Sequence, residues 1–133
     1  MEQETANIEQ LSSPDISVVT GLFIKNEKGE IWFGRMPKWS DMLSVVGGHV
    51  KRGETVQDGA LRELKEEVGV DVDDIEYIGY VEIIDSDKFY KPKHFVGFNF
   101  IVHVEGRPEL LFNEEFTESC WLTREEALKR DDL

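Results

Sequence analysis

The residues best suited to chemistry are three glutamates in one short stretch, Glu63, Glu66 and Glu67. In a helix that turns by about 100° per residue, all three carboxylates fall within an arc of roughly 100°. Like charges at these spacings destabilise an isolated helix by a few tenths of a kcal/mol per pair. Hard oxygen ligands that cluster without internal counterions are what Mg²⁺ or Mn²⁺ requires. The stretch therefore indicates a divalent metal site, although an acidic helix without further context is more often a solvated face.

The residues around the glutamates predict the helix that must position them. Thr55 is a good N-cap and Gly69 a good C-terminal stop, so the helix is expected to run from about residue 55 to 68. Gly59, inside it, costs about 1 kcal/mol relative to alanine, which would be explained by a close approach of another group. An apolar stripe beside the acidic arc predicts that the helix buries one side and presents its carboxylates on the other. The stripe consists of Leu61, Leu64 and Val68.

Strands are predicted on both sides of this helix, because apolar and polar residues alternate there and β-branched residues are frequent. Asn26–Gly29 has the composition of a turn, so the first two strands are expected to form a hairpin. The order of elements predicts an α+β fold with a mixed β-sheet covered by helices. The predicted strands cover residues 15–25, 31–36, 43–46, 75–84, 95–104 and 118–122, and a short final helix covers residues 124–129.

Length and charge limit the possible partners. The 133 residues suit a single domain, which we place at residues 15–133 after a polar N-terminal arm, residues 1–14. Fifteen basic and 28 acidic residues give a net charge of −13. Such a surface repels phosphate backbones and anionic lipids, so we expect neither a nucleic-acid nor a membrane partner. An anionic substrate would then need a divalent cation to offset the repulsion.

The compartment is predicted from what the sequence lacks. Cys120 is the single cysteine, so no internal disulfide can form, which is typical of a reducing environment. No signal peptide is recognisable near Met1, and no apolar run is long enough to cross a bilayer. We therefore expect a cytoplasmic protein.

The glutamates belong to a longer pattern that begins at Gly48 and ends at Val70. It reads G-x5-E-x7-R-E-U-x-E-E-x-G-U, where U is a bulky aliphatic residue, and every fixed position is filled. This pattern resembles the signature box of the Nudix hydrolases, the MutT-like pyrophosphohydrolases, and it covers about a sixth of the chain. The strand order on either side is similar to the α/β/α sandwich of that family. The resemblance therefore implies a Nudix-type sandwich with a mixed sheet.

The resemblance also implies an activity and a cofactor. Nudix hydrolases use water to break the pyrophosphate bond of a nucleoside diphosphate linked to another group, with Mg²⁺ or Mn²⁺ bound. Glu63, Glu66 and Glu67 match the metal-binding carboxylates of the family, one of which would instead activate the water. The backbone carbonyl of Gly48 matches a further metal ligand.

Other matching positions have supporting roles. Glu54 and Arg62 match an ion pair that orients the loop and Glu63. Outside the box, a glutamate six residues before a tryptophan often supplies another ligand or the base. Glu115 stands at that distance from Trp121. Its neighbours Glu114 and Glu118 are alternatives for the same role.

Candidate substrate-binding residues lie outside the box. Arg35 ends the second predicted strand, where family members often carry a basic residue that faces substrate phosphate. Phe23 and Tyr90 would stack on a base, and Asn99 would read a base edge. Each also has a plainer interpretation, as a surface arginine, a core aromatic residue or a polar strand residue. Three lysines of the loop before residue 95 would steer an anionic substrate or simply be solvated: Lys88, Lys91 and Lys93.

The identity of the substrate stays open at this point. A nucleoside triphosphate or a nucleotide sugar fits best, because the acidic surface disfavours capped RNA. ADP-ribose specialists carry a proline where this chain has Ser86, while Tyr90 is suggestive of diadenosine polyphosphates. The alternatives to catalysis are a catalytically silent nucleotide-binding module of the same fold and an acidic interaction domain. Because family members are often dimers, a homodimer is also expected.

Overall fold

The computed structural model describes residues 15–70, 72, 74–110 and 115–133. The predicted N-terminal arm, residues 1–14, lies outside this part of the chain. The described part contains β1 (Ser17–Lys25), β2 (Glu30–Met36), a 3-10 helix (Pro37–Trp39), β3 (Met42–Ser44), β4 (Val46–His49), α1 (Val56–Val68), β5 (Glu76–Ile84), β6 (His94–His103), β7 (Ser119–Thr123) and α2 (Arg124–Leu128). Neither described helix is long and apolar enough to cross a membrane.

The sheet is mixed and is organised around β1. The strand order is β3-β2-β1-β6-β5, with β4 beside β1 and β7 beside β2. β1 runs parallel to β6 along its whole length, and its other edge pairs with β4 over residues 19–22. β1 meets β2 at the single pair Lys25 and Ile31, so the predicted hairpin is closed at its turn end and then opens. The predicted α+β fold with a mixed sheet is confirmed.

The helix α1 begins and ends where the sequence predicts. The hydroxyl of Thr55 accepts a hydrogen bond from the backbone N–H of Asp58 at 3.1 Å. Gly69 ends the helix with φ of 72°, a conformation that favours glycine. The helix packs against β4 and β1. Its fully buried residues Ala60 and Leu64 belong to the main hydrophobic core.

Alternate residues of β1 have different surroundings. Leu22 and Ile24 are fully buried in the same core as Leu64, and each contributes roughly 1.5–3 kcal/mol of apolar burial. Val19 and Gly21, at the intervening positions, line a cavity instead. β1 therefore contributes to the core and to the cavity at once.

Candidate active site

Glu63 lies between α1 and β4, and two glycines of β4 make this placement possible. A Cβ atom at Gly47 would lie 2.2 Å from the carbonyl oxygen of Thr20, and one at Gly48 would lie 2.2 Å from Cδ of Glu63. The β4 backbone can therefore contact both the neighbouring strand and the carboxylate. The side chain of Glu63 is 9% exposed. The expectation that the helix presents all its carboxylates away from the buried side is wrong for Glu63, because the glycines leave room for it in the interior.

Arg62 and Glu54 form a bidentate ion pair next to the contact between Glu63 and Gly48. Nε and Nη2 of Arg62 donate to the two carboxylate oxygens of Glu54 at 3.0 and 2.7 Å. The Arg62 hydrogen bonds lower the pKa of Glu54 to about 2. Nη1 of Arg62 donates to Oε1 of Glu63 at 2.9 Å, and Nη2 also donates to the carbonyl of His49 at 3.0 Å. The ion pair thus links the loop before α1, strand β4 and Glu63.

The glycine inside α1 is explained by this ion pair. A Cβ atom at Gly59 would lie 3.1 Å from Oε1 of Glu54. The same oxygen accepts a hydrogen bond from the backbone N–H of Lys51 at 2.7 Å. The close approach expected from the sequence is therefore the approach of the Glu54 carboxylate.

Glu67 is the second carboxylate that faces the cavity. Its Oε2 is buried and has no hydrogen-bond partner. Burial raises the pKa of Glu67 above the ordinary glutamate value, and repulsion from Glu63, Glu115 and Glu66 raises it further. Burial also raises the pKa of Glu63, against the opposing effect of Arg62. These carboxylates are therefore close enough to repel one another in a partly desolvated place.

The chemistry of this group fits a hard divalent cation. Glu63, Glu67 and Glu115 supply oxygen donors, and a buried carboxylate oxygen without a partner is what a bound cation would satisfy. Arg62 currently bonds one oxygen each of Glu63 and Glu66. Among the described residues, no three His, Cys, Asp or Glu side chains are already arranged around one ion position. The oxygen donors are therefore of the type that a hard divalent cation prefers, and they lie near one another. Side-chain rotation would have to bring them around one ion.

The cavity has a volume of about 470 Å³. Six of the residues predicted for the site line it: Gly48, Glu63, Glu67, Tyr90, Asn99 and Glu115. Glu54, Arg62 and Glu66 are not among its lining residues, and the side chain of Glu66 is 54% exposed. The predicted residues of the box and its surroundings therefore form two groups. One group lines the cavity, and the other, Glu54, Arg62 and Glu66, is linked to Glu63 through the hydrogen bonds of Arg62.

Arg35, which was predicted to contact substrate phosphate, is not among the residues that line the cavity. Its Nε donates to Glu118, its Nη1 donates to the carbonyl of Asp41 at 2.7 Å, and its Nη2 donates to Asp132 at 3.1 Å. These partners satisfy the guanidinium. The same contacts take Glu118 away from the cavity, which leaves Glu115 as the better placed of the two, while Glu114 lies outside the described residues.

Phe23 is also not brought to the cavity. It is half-buried and follows Gly21 on the same side of β1, two positions further from the carboxylates. Gly21 lines the cavity together with Val19 and Thr20, and the amide of Asn99 lies against it: a Cβ at Gly21 would be 2.3 Å from Oδ1 of Asn99. Of the two predicted substrate-binding residues, Asn99 therefore lines the cavity and Phe23 does not.

Sequence reasoning gave no role to Lys38, which lines the cavity. Its Nζ lies 3.7 Å from Oε1 of Glu115. The preceding Pro37 begins the 3-10 helix that brings Lys38 and Trp39 to the cavity, and this proline was the one local signal of an ordered loop. Lys93 and Phe89 reach the cavity from the loop before β6, on which the sequence analysis placed steering lysines.

The fold is similar to that of solved MutT proteins. A solved structure, the MutT protein from Methanosarcina mazei Go1, superposes with a TM-score of 0.74 over 91% of this chain and 86% of that chain. The two sequences are 23% identical, so the likeness concerns the fold. The family model described as the NUDIX domain matches residues 16–133, and the chain belongs to this family.

Two curated relatives share shorter regions with this chain. The NAD-capped RNA hydrolase NudC of Mycobacterium tuberculosis (strain ATCC 25177 / H37Ra) is 34% identical over 98 residues, which are 70% of this chain and 28% of NudC. The RNA pyrophosphohydrolase of Hydrogenovibrio crunogenus (strain DSM 25203 / XCL-2) is 33% identical over 76 residues, which are 57% of this chain and 44% of the relative. The matched part is thus less than half of either relative.

Proposed function

We propose that this protein is a metal-dependent pyrophosphohydrolase that acts on a nucleoside diphosphate linked to another group. The observation that carries the proposal is the pair Glu63 and Glu67, of which one is held against Gly48 and the other has a buried, unpartnered oxygen at the cavity. Membership of the NUDIX family supports the same reaction class.

Each charged residue has a proposed part in the reaction. Glu67 would bind the cation through one carboxylate oxygen and accept the proton of the attacking water through the other, because it lines the cavity next to Glu63. Glu63 is held by Arg62 and Gly48 and would keep a fixed position during turnover. Arg62 and Glu54 would position the loop and Glu63 without touching the substrate.

The proposed cofactor is Mg²⁺ or Mn²⁺. Its ligands would come from the side chains of Glu63, Glu66, Glu67 and Glu115 and from the carbonyl of Gly48. When bound, such an ion would neutralise phosphate charge and lower the pKa of a water molecule. Glu66 would have to leave Arg62, whose Nη1 donates a hydrogen bond to Oε2 of Glu66 at 3.1 Å.

The proposed substrates are nucleoside triphosphates and nucleotide sugars. The net charge of −13 supports a small nucleotide over a polynucleotide. A second candidate substrate is capped or pyrophosphate-bearing RNA, which the names of the two curated relatives favour, an NAD-capped RNA hydrolase and an RNA pyrophosphohydrolase. Hydrolysis of a small nucleotide and hydrolysis of RNA would break the same pyrophosphate bond, and the two substrates differ in the group that is linked to it.

Several sequence expectations enter this proposal unchanged. We propose that residues 15–133 form one functional domain, that the protein acts in the cytoplasm without a membrane partner, and that it forms a homodimer. The alternative function is a catalytically silent nucleotide-binding module of the same fold. Such a module would bind nucleotides without releasing phosphate-containing products.

A substrate screen tests the proposal. About thirty nucleotide derivatives, with NAD-capped and 5′-triphosphate RNA included, are incubated with the protein and Mg²⁺ or Mn²⁺, and phosphate is measured after a coupling enzyme. We expect turnover of at least one compound, which Glu67→Gln lowers by about 10²–10⁴-fold, the usual range for the loss of a general base. Glu82→Gln, at an exposed position on β5, is the matched control. Binding without turnover would favour the silent module.

A further inference from the structure

Strand β5 is an edge strand with large apolar side chains on its surface. It lies last in the strand order, and among the described residues only β6 pairs with it. Seven of its nine residues are exposed. The large apolar side chains among them are 44–62% exposed: Tyr77, Ile78, Tyr80, Val81 and Ile84. Scattered apolar residues are normal at a protein surface, whereas a contiguous group on one strand is typical of an interaction site.

The outer edge of β5 lacks most of the features that protect sheet edges from a further strand. Lysine, proline and bulges usually provide this protection. β5 contains neither lysine nor proline, and its two charged residues are glutamates. A bulge lies near its start, between Tyr77 and Gly79, and the stretch from Tyr80 to Ile84 pairs regularly with β6. The outer backbone groups of this regular stretch can therefore pair with another strand.

The tyrosines of β5 continue the apolar face of the sheet. The ring centroids of Tyr80 and Phe98 are 6.3 Å apart, and those of Tyr77 and Phe100 are 5.6 Å apart. Phe100 belongs to the main hydrophobic core together with Leu22. The helix α1 covers this face over β4 and β1. The apolar face therefore extends past the helix to the edge of the sheet.

A second copy of β5 is complementary to this edge. Tyr80 is the middle residue of β5, so two antiparallel copies that are centred on it overlap over all nine residues. Glu82 would then lie opposite the bulge at residues 77–78, and Glu76 would lie opposite residues 83–84. No two glutamates would face each other, whereas a centre at Glu82 would place that charge against its own copy. Such self-complementarity is what a two-fold interface requires.

We propose that two copies of this chain associate through β5, whose outer edges pair antiparallel about a two-fold axis at Tyr80. The proposal names the surface of the homodimer that is part of the proposed function, and it does not depend on the reaction. The exposed apolar side chains of β5 present on the order of 500 Å², if a large side chain exposes about 200 Å² when free. A standard interface buries about 800 Å² on each partner, and the backbone edge would supply most of the difference. Main-chain hydrogen bonds between the two edges would add affinity.

The oligomeric state tests the surface. Size-exclusion chromatography with light scattering is run on the full chain at rising protein and salt concentrations. We expect a mass that approaches twice the 15.3 kDa of one chain, and we expect salt to favour it, because each copy has a net charge of −13. Tyr80→Lys should weaken dimerisation by more than about tenfold, because two ammonium groups would meet at the axis. Tyr80→Phe should dimerise as the wild type does.

Leu128→Lys is the matched control for the added charge. Leu128 is 72% exposed and lies on α2, away from β5, so this variant should also dimerise as the wild type does. Circular dichroism of each variant shows whether the fold is intact.

A disulfide test determines the register. In a Cys120→Ser background, Tyr80→Cys leaves one cysteine in each chain. Residues directly opposite each other in an antiparallel pair have Cα atoms about 4.5–5.5 Å apart, which a disulfide can span. An added oxidant should therefore link Tyr80→Cys chains in pairs on a non-reducing gel. Leu128→Cys in the same background should remain unlinked.

Three results would overturn the proposal. The first is a monomer at every protein and salt concentration, including one in which residues 1–14 protect the β5 amides from hydrogen exchange. The second is a folded Tyr80→Lys variant that dimerises as the wild type does. The third is equal linking of Tyr80→Cys and Leu128→Cys. Mg²⁺-dependent turnover by a monomer would leave the proposed reaction standing. A dimer linked at position 80 without such turnover would leave the β5 interface standing and remove the proposed reaction.

Discussion

The carboxylate of Glu63 touches the backbone of β4 at Gly48. A Cβ atom at Gly48 would lie 2.2 Å from Cδ and 2.3–2.4 Å from both carboxylate oxygens. No side chain larger than hydrogen can occupy position 48 while Glu63 keeps its place. The second of the paired glycines therefore fixes the position of a carboxylate that follows it by fifteen residues in the chain.

Replacing Gly48 with alanine should displace Glu63. We expect Gly48→Ala to lower turnover severely and to cost about 1–3 kcal/mol in the free energy of unfolding, as overpacking of a buried site does. Urea unfolding and steady-state kinetics measure the two effects. Gly106→Ala is the control, because its positive φ of 66° makes alanine strained there while nothing lies within 4 Å of the added Cβ and Gly106 does not line the cavity. Equal kinetics for both alanine variants would argue against the role of Gly48.

Stability should depend on pH through Glu67. Its pKa is raised above 4.5 in the folded protein, so the folded state holds this proton more tightly than the unfolded chain does. The stabilisation is present below pH 4.5 and is lost as the pH rises through the folded-state pKa. In Glu67→Gln no proton can be lost at this position, so the free energy of unfolding of the variant should increase relative to that of the wild type as the pH rises.

Urea unfolding in EDTA between about pH 4 and pH 8 measures the dependence on Glu67. The difference in unfolding free energy between Glu67→Gln and wild type should increase with pH and then level off. Glu82→Gln, at an exposed position on β5, is the control substitution. A difference that falls with pH would contradict the assigned direction of the Glu67 pKa.

Arg62 should control both acid stability and turnover. It lowers the pKa of Glu54 to about 2, so the stabilisation from Glu54 is complete above pH 4.5 and is lost as the pH falls through about 2. Arg62→Ala should shift acid unfolding to higher pH, which circular dichroism measures. Loss of the hydrogen bond to Glu63 should also lower kcat, by about 10- to 100-fold, as the loss of a supporting contact in a metal site does. Arg52→Ala, at an exposed position in the same loop, should change neither quantity.

Arg35 should stabilise the fold and leave the substrate contact unchanged. Its guanidinium joins β2 to Asp132, whose carbonyl in turn accepts a hydrogen bond from the backbone N–H of Leu43 at 2.6 Å. We expect Arg35→Ala to lower the melting temperature and to leave KM unchanged. Arg124→Ala is the surface control. An increase in KM without a loss of stability would restore the sequence-based role in phosphate binding.

Local features of the fold could be predicted from the sequence, whereas long-range pairing could not. The bounds of α1 follow from Thr55 and Gly69, because capping depends on nearby residues. The parallel pairing of β1 with β6 joins strands about eighty residues apart, and period-two alternation contains no information about the partner. The predicted hairpin opens on the side of the Lys25–Ile31 pair away from the turn, because β4 occupies the edge of β1 with which β2 would otherwise pair.

The same distinction applies to the site. Glu63 and Glu67 both line the cavity, because their spacing on one helix gives their side chains a similar direction. The position of Arg35 could not be predicted, since Asp132 reaches it from the other end of the chain. The contact of Trp39 with Phe89 depends on two loops that tertiary structure brings together, so neither loop alone predicts this contact.

The most direct test of the account is whether manganese binds beside α1. Crystals of the protein soaked in MnCl₂ are measured at a wavelength where manganese scatters anomalously. The account predicts an anomalous peak within about 2–2.5 Å of carboxylate oxygens of Glu63 and Glu67, and no such peak in Glu67→Gln crystals treated in the same way. Wild-type crystals with an open cavity and no peak at these carboxylates would contradict it.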